Sequence, residues 1–192
     1  MARKAGLSRN DVVDVAAVIA DSEGLEATSL GAVARRLGVR TPSLYSHVDG
    51  VDGLRRELAL RGAALLTGSI ATAMQGKSGR GALRDAARAN REFASRHPGL
   101  YQTFTPAPRE EDDPELYSAM AEPVWELARV LVEMGVDEGS AVHLIRAFRS
   151  MLHGFIVLEA ADGFGMPVDV DASFDAAVDL VIDGIEARAL RG

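Results

Sequence analysis

The chain has 192 residues, of which 47% are hydrophobic and 26% are charged. This length suits one or two domains with a substantial core, and the composition is typical of a globular protein. There is no cysteine, which excludes disulfides, thiolate chemistry and cysteine-containing zinc fingers and suits a cytoplasmic location. No apolar run approaches about 18 residues, and polar residues follow Arg3 and Lys4, so we expect neither a membrane span nor a secretory signal.

Charge is distributed unevenly along the chain. The formal net charge is −7, yet residues 1–61 contain nine Lys or Arg against eight Asp or Glu, whereas residues 62–192 contain twelve against twenty. A nearly neutral amino-terminal part joined to an acidic remainder permits a small nucleic-acid-contacting head on an acidic body.

Helical periodicity dominates the sequence, so we predict an all-α fold. Ser8 is expected to cap the first helix, which Gly24 ends. A second helix is predicted to start at Thr28 or Ser29 and to stop at Gly38.

A short third helix is predicted to begin at a Thr41 cap, with Pro42 in its first position, where the missing N–H costs nothing. A fourth helix is predicted to reach about Met74. We place the domain boundary within this fourth helix. The division gives an amino-terminal domain over residues 1–60 and a larger helical domain over residues 61–192.

Four more helices are predicted in the larger domain, over about residues 82–96, 115–134, 137–161 and 171–190. Pro123 is expected to kink or split the second of them. The stretch from Thr105 to Pro114 combines prolines with a run of four acids, so we predict a solvated loop there.

Residues 30–48 have the pattern of a helix-turn-helix, in which two short helices meet at a tight turn. Gly38 can take the positive φ of that turn, and the small Ala34 lets the helices cross closely. Outward polar side chains of the second helix would suit base edges and phosphates, namely Thr41, Ser43, Tyr45, Ser46 and His47. An ordinary helical hairpin with a polar outer face fits the same pattern, so the residues alone leave both interpretations open.

Residues 8–60 resemble the DNA-binding domain of the tetracycline-repressor (TetR) family of bacterial transcriptional regulators. The resemblance is strongest over residues 37–48 (LGVRTPSLYSHV), which have a glycine turn, a small polar cap and an aromatic-x-His-hydrophobic end. Residues 24–30 (GLEATSL) match as well.

The resemblance implies a role for each residue of this segment. Bases would be read by Thr41, Pro42 and Ser43, and phosphates would be held by Tyr45 and His47. Thr28 or Ser29 would present a hydroxyl and backbone N–H to a phosphate at the start of the second helix. Arg40 is the preferred candidate for a guanine contact, with a nonspecific phosphate anchor as the equal alternative. Arg3 and Lys4 would form a flexible arm or a disordered tail.

One position departs from the family pattern. The family usually has a phosphate-contacting lysine where this chain has Val51, between Asp49 and Asp52. Arg55 or Arg56, one turn later, would be the cation that compensates for the lost lysine. The departure favours the alternative that the chain is a protein-interaction module or small-molecule-binding protein without specific DNA binding.

Most of residues 82–190 resemble the ligand-binding domains of one subgroup of the family, through residues 97–101 (HPGLY) and 148–155 (FRSMLHGF). The resemblance implies a helical ligand-binding domain that forms a homodimer through its last two helices. The last helix has one apolar stripe, made by Phe174, Val178, Val181, Ile182 and Ile185, which we predict as the dimer interface. The helix before it is apolar nearly all round and therefore needs two partners.

An apolar or mixed small-molecule effector would be bound by aromatic and methionine side chains, which suit an adaptable cavity. The candidates are Phe93, Tyr101, Phe104, Met120, Trp125, Met134, Phe148, Met151 and Phe155. Each of these residues is also a candidate for plain core packing.

We expect no enzyme, metal or cofactor. No two of the four histidines are spaced to bind a metal together, and neither a nucleophile elbow nor a phosphate-binding loop is present. The residues and the resemblance together predict a repressor that binds a palindromic operator and is released by its effector. A helical small-molecule enzyme with a vestigial head is the other alternative.

Overall fold

The structure is a computed structural model that describes residues 6–190. Over these residues the regular elements are all helical, which confirms the predicted all-α fold. The α-helices are α1 (Arg9–Glu23), α2 (Leu30–Leu37), α3 (Gly50–Met74), α4 (Gly79–Arg96), α5 (Pro98–Gln102), α6 (Pro114–Glu133), α7 (Glu138–Ala160) and α8 (Val170–Ala189). Two short 3₁₀-helices cover Leu25–Ala27 and Thr41–Ser46.

The chain divides into two compact units. The first unit comprises Met1–Leu65 and Arg96–Met120, and the second comprises Leu66–Ser95 and Ala121–Gly192. The division passes through α3 and α6, so the region around α5 belongs with the amino-terminal helices. The predicted boundary after residue 60 stays a prediction.

Local capping signals fix the helices of the first unit. Ser8 caps α1 in a capping box with Asp11, and the pKa of Asp11 is lowered because Ser8 donates to it. Gly24 ends α1 with φ 93°. Ser29 caps α2, and Gly38 ends that helix in the left-handed region at φ 69°. These predicted caps and stops are confirmed.

The segment after the Gly38 turn differs from its prediction. Thr41–Ser46 is a 3₁₀-helix, and Arg40 rather than Thr41 occupies its cap position. The tighter winding begins where the Ser43 N–H donates to the Arg40 carbonyl at 2.9 Å, one residue closer than in an α-helix. Leu44 is fully buried at the centre of the segment.

The contact between α1 and α5 is a close approach of two backbones. A Cβ placed on Gly99 would lie 2.1 Å from the Ala20 carbonyl oxygen, so only glycine fits there. The Asp21 carboxylate accepts from the Gly99 and Leu100 N–H groups at 3.0 and 3.1 Å. Its other oxygen lies 2.8 Å from His97 Nδ1. Asp21 of α1 therefore satisfies N–H groups at the start of α5.

The stretch from Thr105 to Asp113 is a loop, as predicted, but its last acid is not solvated charge. Asp113 is half-buried and accepts two hydrogen bonds from Arg56, at 2.5 and 2.9 Å. Arg56 also donates to Glu115 at 2.6 Å. The pKa of Asp113 is lowered, chiefly because Arg56 donates to it.

The core of the second unit comes from the apolar faces of α4, α6, α7 and α8. Pro123 is buried, and α6 continues through it, so the helix is not split there. On α7 the buried residues recur every three or four positions: Ala141, Ile145, Phe148, Leu152 and Ile156. Outside this buried stripe, α7 exposes Val142, Val157 and Leu158.

By length and composition alone, α7 could cross a membrane, with an 18-residue window of mean hydropathy 1.3 that is 28% buried. The sequence predicted this helix but no candidate membrane span in it, because Arg146 and Arg149 interrupt its apolar run. A core helix of a water-soluble protein meets the same criterion, so it carries no membrane assignment.

Ion pairs join α4 to α8 along successive turns. The pairs are Arg80 with Asp179, Asp183 and Glu186, Arg84 with Asp179, and Arg88 with Asp175. Between them, Ala82, Leu83, Ala86 and Ala87 of α4 are buried. An electrostatic rim therefore borders the apolar face of α4.

Arg91 is the last arginine of this series along α4 and the least exposed of the four. Its side chain is 20% exposed, and it pairs with Glu159 and with Asp171, the latter at 2.8 Å. Its guanidinium carbon lies 4.7 Å from the ring centre of Phe174 and 5.6 Å from that of Phe155. The pKa of Glu159 is lowered because Arg91 donates to it.

Candidate nucleic-acid interface

The segment predicted to read DNA is anchored on one side and open on the other. Leu44 and Val48 are buried at 0% and 4% exposure. The outward side chains that are exposed are Arg40, Pro42, Ser43, Tyr45 and Ser46, and Thr41 and His47 are half-buried. Tyr45 is 59% exposed despite its large ring. The anchored backbone thus presents a continuous polar surface.

Two of the predicted hydroxyl groups differ in what they can do. Thr28 is 3% exposed, and its hydroxyl donates to the Gly24 carbonyl at 3.2 Å, so it is not available to a phosphate. The prediction of Thr28 as a DNA contact is therefore wrong. Ser29 is exposed and accepts from the Ala32 N–H at 3.2 Å as the cap of α2. The start of α2 thus offers the positive end of a helix to an anion.

Cations near this surface are mostly neutralised by nearby acids. Arg36 pairs with Glu23 at 3.2 Å, and Arg55 pairs with Glu26 at 3.0 Å. Arg56 pairs with Asp113 at 2.5 Å and with Glu115 at 2.6 Å, and its suggested role as a replacement for the missing lysine stays a prediction.

Arg40 contrasts with these cations. It is exposed and has no carboxylate partner among residues 6–190. Val51, in the position of the usual lysine, is 43% exposed. Arg3 and Lys4 lie outside the described residues.

The predicted effector residues fall in both units. Tyr101, Phe104 and Met120 belong to the first unit, where the Tyr101 and Phe104 rings meet edge-on at 5.7 Å. The other candidates belong to the second unit, namely Phe93, Trp125, Met134, Phe148, Met151 and Phe155.

Burial differs sharply within the second group. Phe93 and Phe148 are buried, at 4% and 0% exposure, whereas Trp125 is 57% exposed. Phe155 packs on Phe174 at 5.1 Å and on Phe164 at 4.7 Å. One aromatic cluster therefore combines a predicted effector residue with a predicted interface residue.

The predicted dimer stripe on α8 faces the interior of its own unit. Phe174, Val178, Ile182 and Ile185 are at most 2% exposed, so these four cannot contact a second subunit, and their assignment to the interface is wrong. Val181 is half-buried. The exposed row of α8 has a different register, with Leu180 at 74% exposure between exposed Ala176 and Gly184. The signal that could have found it is this i, i+4 row of small and apolar residues.

Within residues 6–190, no group of three or more His, Asp or Glu side chains is arranged to hold a metal ion.

The outward surface of the first unit offers hydroxyls, an aromatic ring, an arginine and a helix start. These groups suit hydrogen bonding to bases and phosphates.

Comparisons with known proteins agree with this chemistry. A family model described as "Tetracyclin repressor-like, C-terminal domain" matches residues 83–181. The chain is 34% identical over 186 residues to the HTH-type transcriptional regulator YobS of Bacillus subtilis, covering 96% of both chains. It is 36% identical over 197 residues to the HTH-type transcriptional regulator Rv0681 of Mycobacterium tuberculosis, covering 100% of this chain and 88% of that one.

A solved structure has a similar fold. It is a TetR variant from Acinetobacter baumannii AYE in complex with minocycline, with a TM-score of 0.73 and 21% identity. The match covers 95% of this chain and 98% of that one.

Proposed function

This chain belongs to the TetR family of DNA-binding transcriptional regulators, and we propose that it is a homodimeric repressor which a small-molecule effector releases from a palindromic operator. Each subunit would place Thr41–Ser46 in a major groove. The observation that carries the proposal is the exposed row from Arg40 to Ser46 on a backbone held by buried Leu44.

Arg40 is the residue we propose for base readout. It is exposed without a carboxylate partner in the described part of the chain, so its guanidinium is free to bind the O6 and N7 atoms of guanine. Thr41, Pro42 and Ser43 would read neighbouring bases. Tyr45, Ser46, His47 and Ser29 would hold phosphates and so fix the register.

Selection of random duplex DNA by the purified protein at moderate salt tests this function. A palindromic motif is expected because a two-fold dimer reads two half-sites. Arg40→Ala should then weaken operator binding by about 10-fold or more and relax the preference at one position of each half-site. Arg36→Ala, which removes a cation already paired with Glu23, is the matched control. Equal binding of all sequences by the wild type would instead favour a protein without specific DNA binding.

We propose that the dimer forms through the exposed faces of α7 and α8. Leu180, Val157 and Leu158 are 74%, 49% and 51% exposed, and apolar side chains at such exposure favour contact with another surface. Leu180→Glu should convert the dimer to a monomer in light scattering. Val18→Glu is the control, since Val18 is equally apolar, 51% exposed and lies on α1. A Leu180→Glu protein that stays dimeric would exclude this interface.

We also propose a cytoplasmic regulator without enzymatic activity or a membrane partner, whose effector binds among the aromatic residues of the carboxy-terminal domain. The fold shared with a minocycline-bound protein supports a small molecule in that domain but does not identify it. The effector would favour a conformation with low operator affinity. A compound that is turned over by the purified protein would contradict the non-enzymatic part.

A further inference from the structure

A surface groove of the first unit lies between the beginning of α1 and the turn that follows α2. Its volume is about 520 Å³, which is within the range of small-molecule sites. The first turns of α1 and the residues just before it line one side, and the Leu37–Val39 turn lines the other. None of the described residues that line this groove is among the effector candidates of the carboxy-terminal domain.

Much of the lining is apolar and only partly covered. Four aliphatic side chains are half-buried there, namely Leu7, Val15, Leu37 and Val39. Each of them leaves apolar surface in contact with water, and covering such surface yields about 25 cal/mol per Å². A ligand with an apolar body would therefore gain affinity in the groove.

Two carboxylates, one turn of α1 apart, border this apolar lining. Asp11 accepts both hydrogen bonds of Ser8 on its Oδ2 atom, from the N–H at 2.8 Å and from the hydroxyl at 2.6 Å. The pKa of Asp11 is lowered because Ser8 donates to it, so the carboxylate is ionised at neutral pH.

The charge of Asp11 is not compensated by a salt bridge. Its Oδ1 atom accepts no hydrogen bond, and its carboxylate forms no ion pair, within the part of the chain that the structure describes. Asp14, by contrast, pairs with Arg61. The groove therefore combines an open apolar lining with one free negative charge, that of Asp11.

We propose that this groove binds a small organic cation with an apolar body, such as a substituted ammonium ion. The aliphatic side chains would cover the apolar body, and the Oδ1 atom of Asp11 would accept a hydrogen bond from the ammonium group. An anion of the same shape would be repelled by the carboxylate. The site goes beyond the proposed function, because it lies in the amino-terminal domain, apart from the effector site proposed for the carboxy-terminal domain.

Three probes at pH 7 test the apolar and the charged part of this proposal: 4-butylbenzylammonium, 4-butylbenzoate and benzylammonium. The first should bind to the wild type. The benzoate has the same apolar body with the opposite charge and should not bind measurably. Benzylammonium lacks the butyl chain and should bind about 10-fold more weakly than the first probe. Equal binding of the benzoate would overturn the proposal.

Methyl NMR spectra locate the bound probe. The signals of Val15 and Val39, which line the groove, should shift when 4-butylbenzylammonium binds. Those of Val18, which is 51% exposed on α1 outside the groove, are the control and should not shift. Binding that shifts Val18 as much as Val15 and Val39 would contradict this site.

Two variants remove the charge and the space separately. Asp11→Asn keeps an oxygen that can accept from Ser8 and should weaken the binding of 4-butylbenzylammonium about 3- to 5-fold, because it removes one exposed ion pair. Asp112→Asn, which removes an exposed carboxylate of the loop after α5, is the matched control and should leave the affinity unchanged. Leu7→Trp fills the groove from the residues before α1 and should abolish binding in a protein with the circular dichroism of the wild type. Unchanged affinity in either groove variant would overturn the proposal.

Two other occupants of the groove would give different results. If the chain's own Arg3 and Lys4 occupied it, the Arg3→Ala/Lys4→Ala protein would bind the probe and the wild type would not. If a second copy of the chain covered it, probe binding would fall as the protein concentration rises. Either result would overturn the proposal.

Discussion

The two units hold their helices together by opposite means. In the first unit, α1 and α5 meet backbone to backbone, with Gly99 against Ala20 and the Asp21 carboxylate on the Gly99 and Leu100 N–H groups. In the second unit, α4 and α8 are joined at their rim by long arginine and carboxylate side chains. Short-range contacts of the first kind tolerate almost no change of shape, whereas flexible ion pairs can re-form after small shifts. The stability of the α1–α5 contact should therefore depend on the addition or loss of a few atoms, and that of the α4–α8 contact on changes of charge.

Gly99→Ala should give the largest loss of stability. The added methyl carbon would lie 2.1 Å from the Ala20 oxygen and 2.7 Å from its Cβ, and neither backbone can yield without separating α1 from α5. We expect a cost of at least about 3 kcal/mol in the free energy of unfolding, measured by urea denaturation. Gly81→Ala on α4 is the control, because a Cβ there would meet no atom within 4 Å. Equal effects of the two substitutions would contradict the close-packed contact.

Asp21→Ala should have the next largest effect, because it leaves two N–H groups of α5 without their acceptor. We expect a loss of about 2 kcal/mol in the free energy of unfolding. Asp21→Asn keeps an oxygen that can accept from both N–H groups and should retain part of the stability. If both variants lose the same amount, the charge of Asp21 rather than its hydrogen bonds is what matters.

Features that depend on neighbouring residues could be predicted from the sequence. Ser8, Ser29 and Gly38 mark helix ends through bonds to residues three or four positions away, so their roles are visible in the local pattern. The outward polar row from Arg40 to Ser46 was predictable for the same reason.

Features that depend on distant residues could not be predicted. Arg56 pairs with its neighbour Glu57 at 3.5 Å, but its shortest hydrogen bond, at 2.5 Å, goes to Asp113, 57 residues away. An apolar stripe in a sequence also does not indicate whether it packs inside its own subunit or against a second subunit. On α8 the stripe of Phe174 and Ile182 looked like an interface, but it packs inside its own unit. The exposed Leu180 row was weaker in the pattern because alanine and glycine flank it.

Arg91→Ala should have an intermediate effect in the second unit. Its side chain is 20% exposed, stacks over Phe174 and binds Glu159, so the substitution removes packing as well as charge. We expect a loss of about 1 to 2 kcal/mol, measured by thermal unfolding with the fluorescence of Trp125, the single tryptophan, which lies in the second unit. Arg88→Ala is the comparison, because Arg88 is 57% exposed and its pair with Asp175 is more open to solvent. A larger loss for Arg88→Ala would mean that burial does not determine the strength of these pairs.

Acid should produce the smallest and most gradual effect, and it should act through the ion pairs of the second unit. The pKa of Asp179 and the pKa of Glu159 are lowered because Arg84 and Arg91 donate to them. A carboxylate whose pKa is lowered by folding stabilises the folded protein. This contribution is fully present above the pKa of the unfolded state and is lost as the pH falls through the pKa of the folded state. The melting temperature, measured by the fluorescence of Trp125, should therefore begin to fall below about pH 4.5, the ordinary pKa of glutamate. Asp179→Asn should flatten this decline, whereas Asp162→Asn, in the exposed segment after α7, should leave it unchanged. A decline that is the same in all three proteins would mean that the arginine pairs do not set the acid sensitivity of this unit.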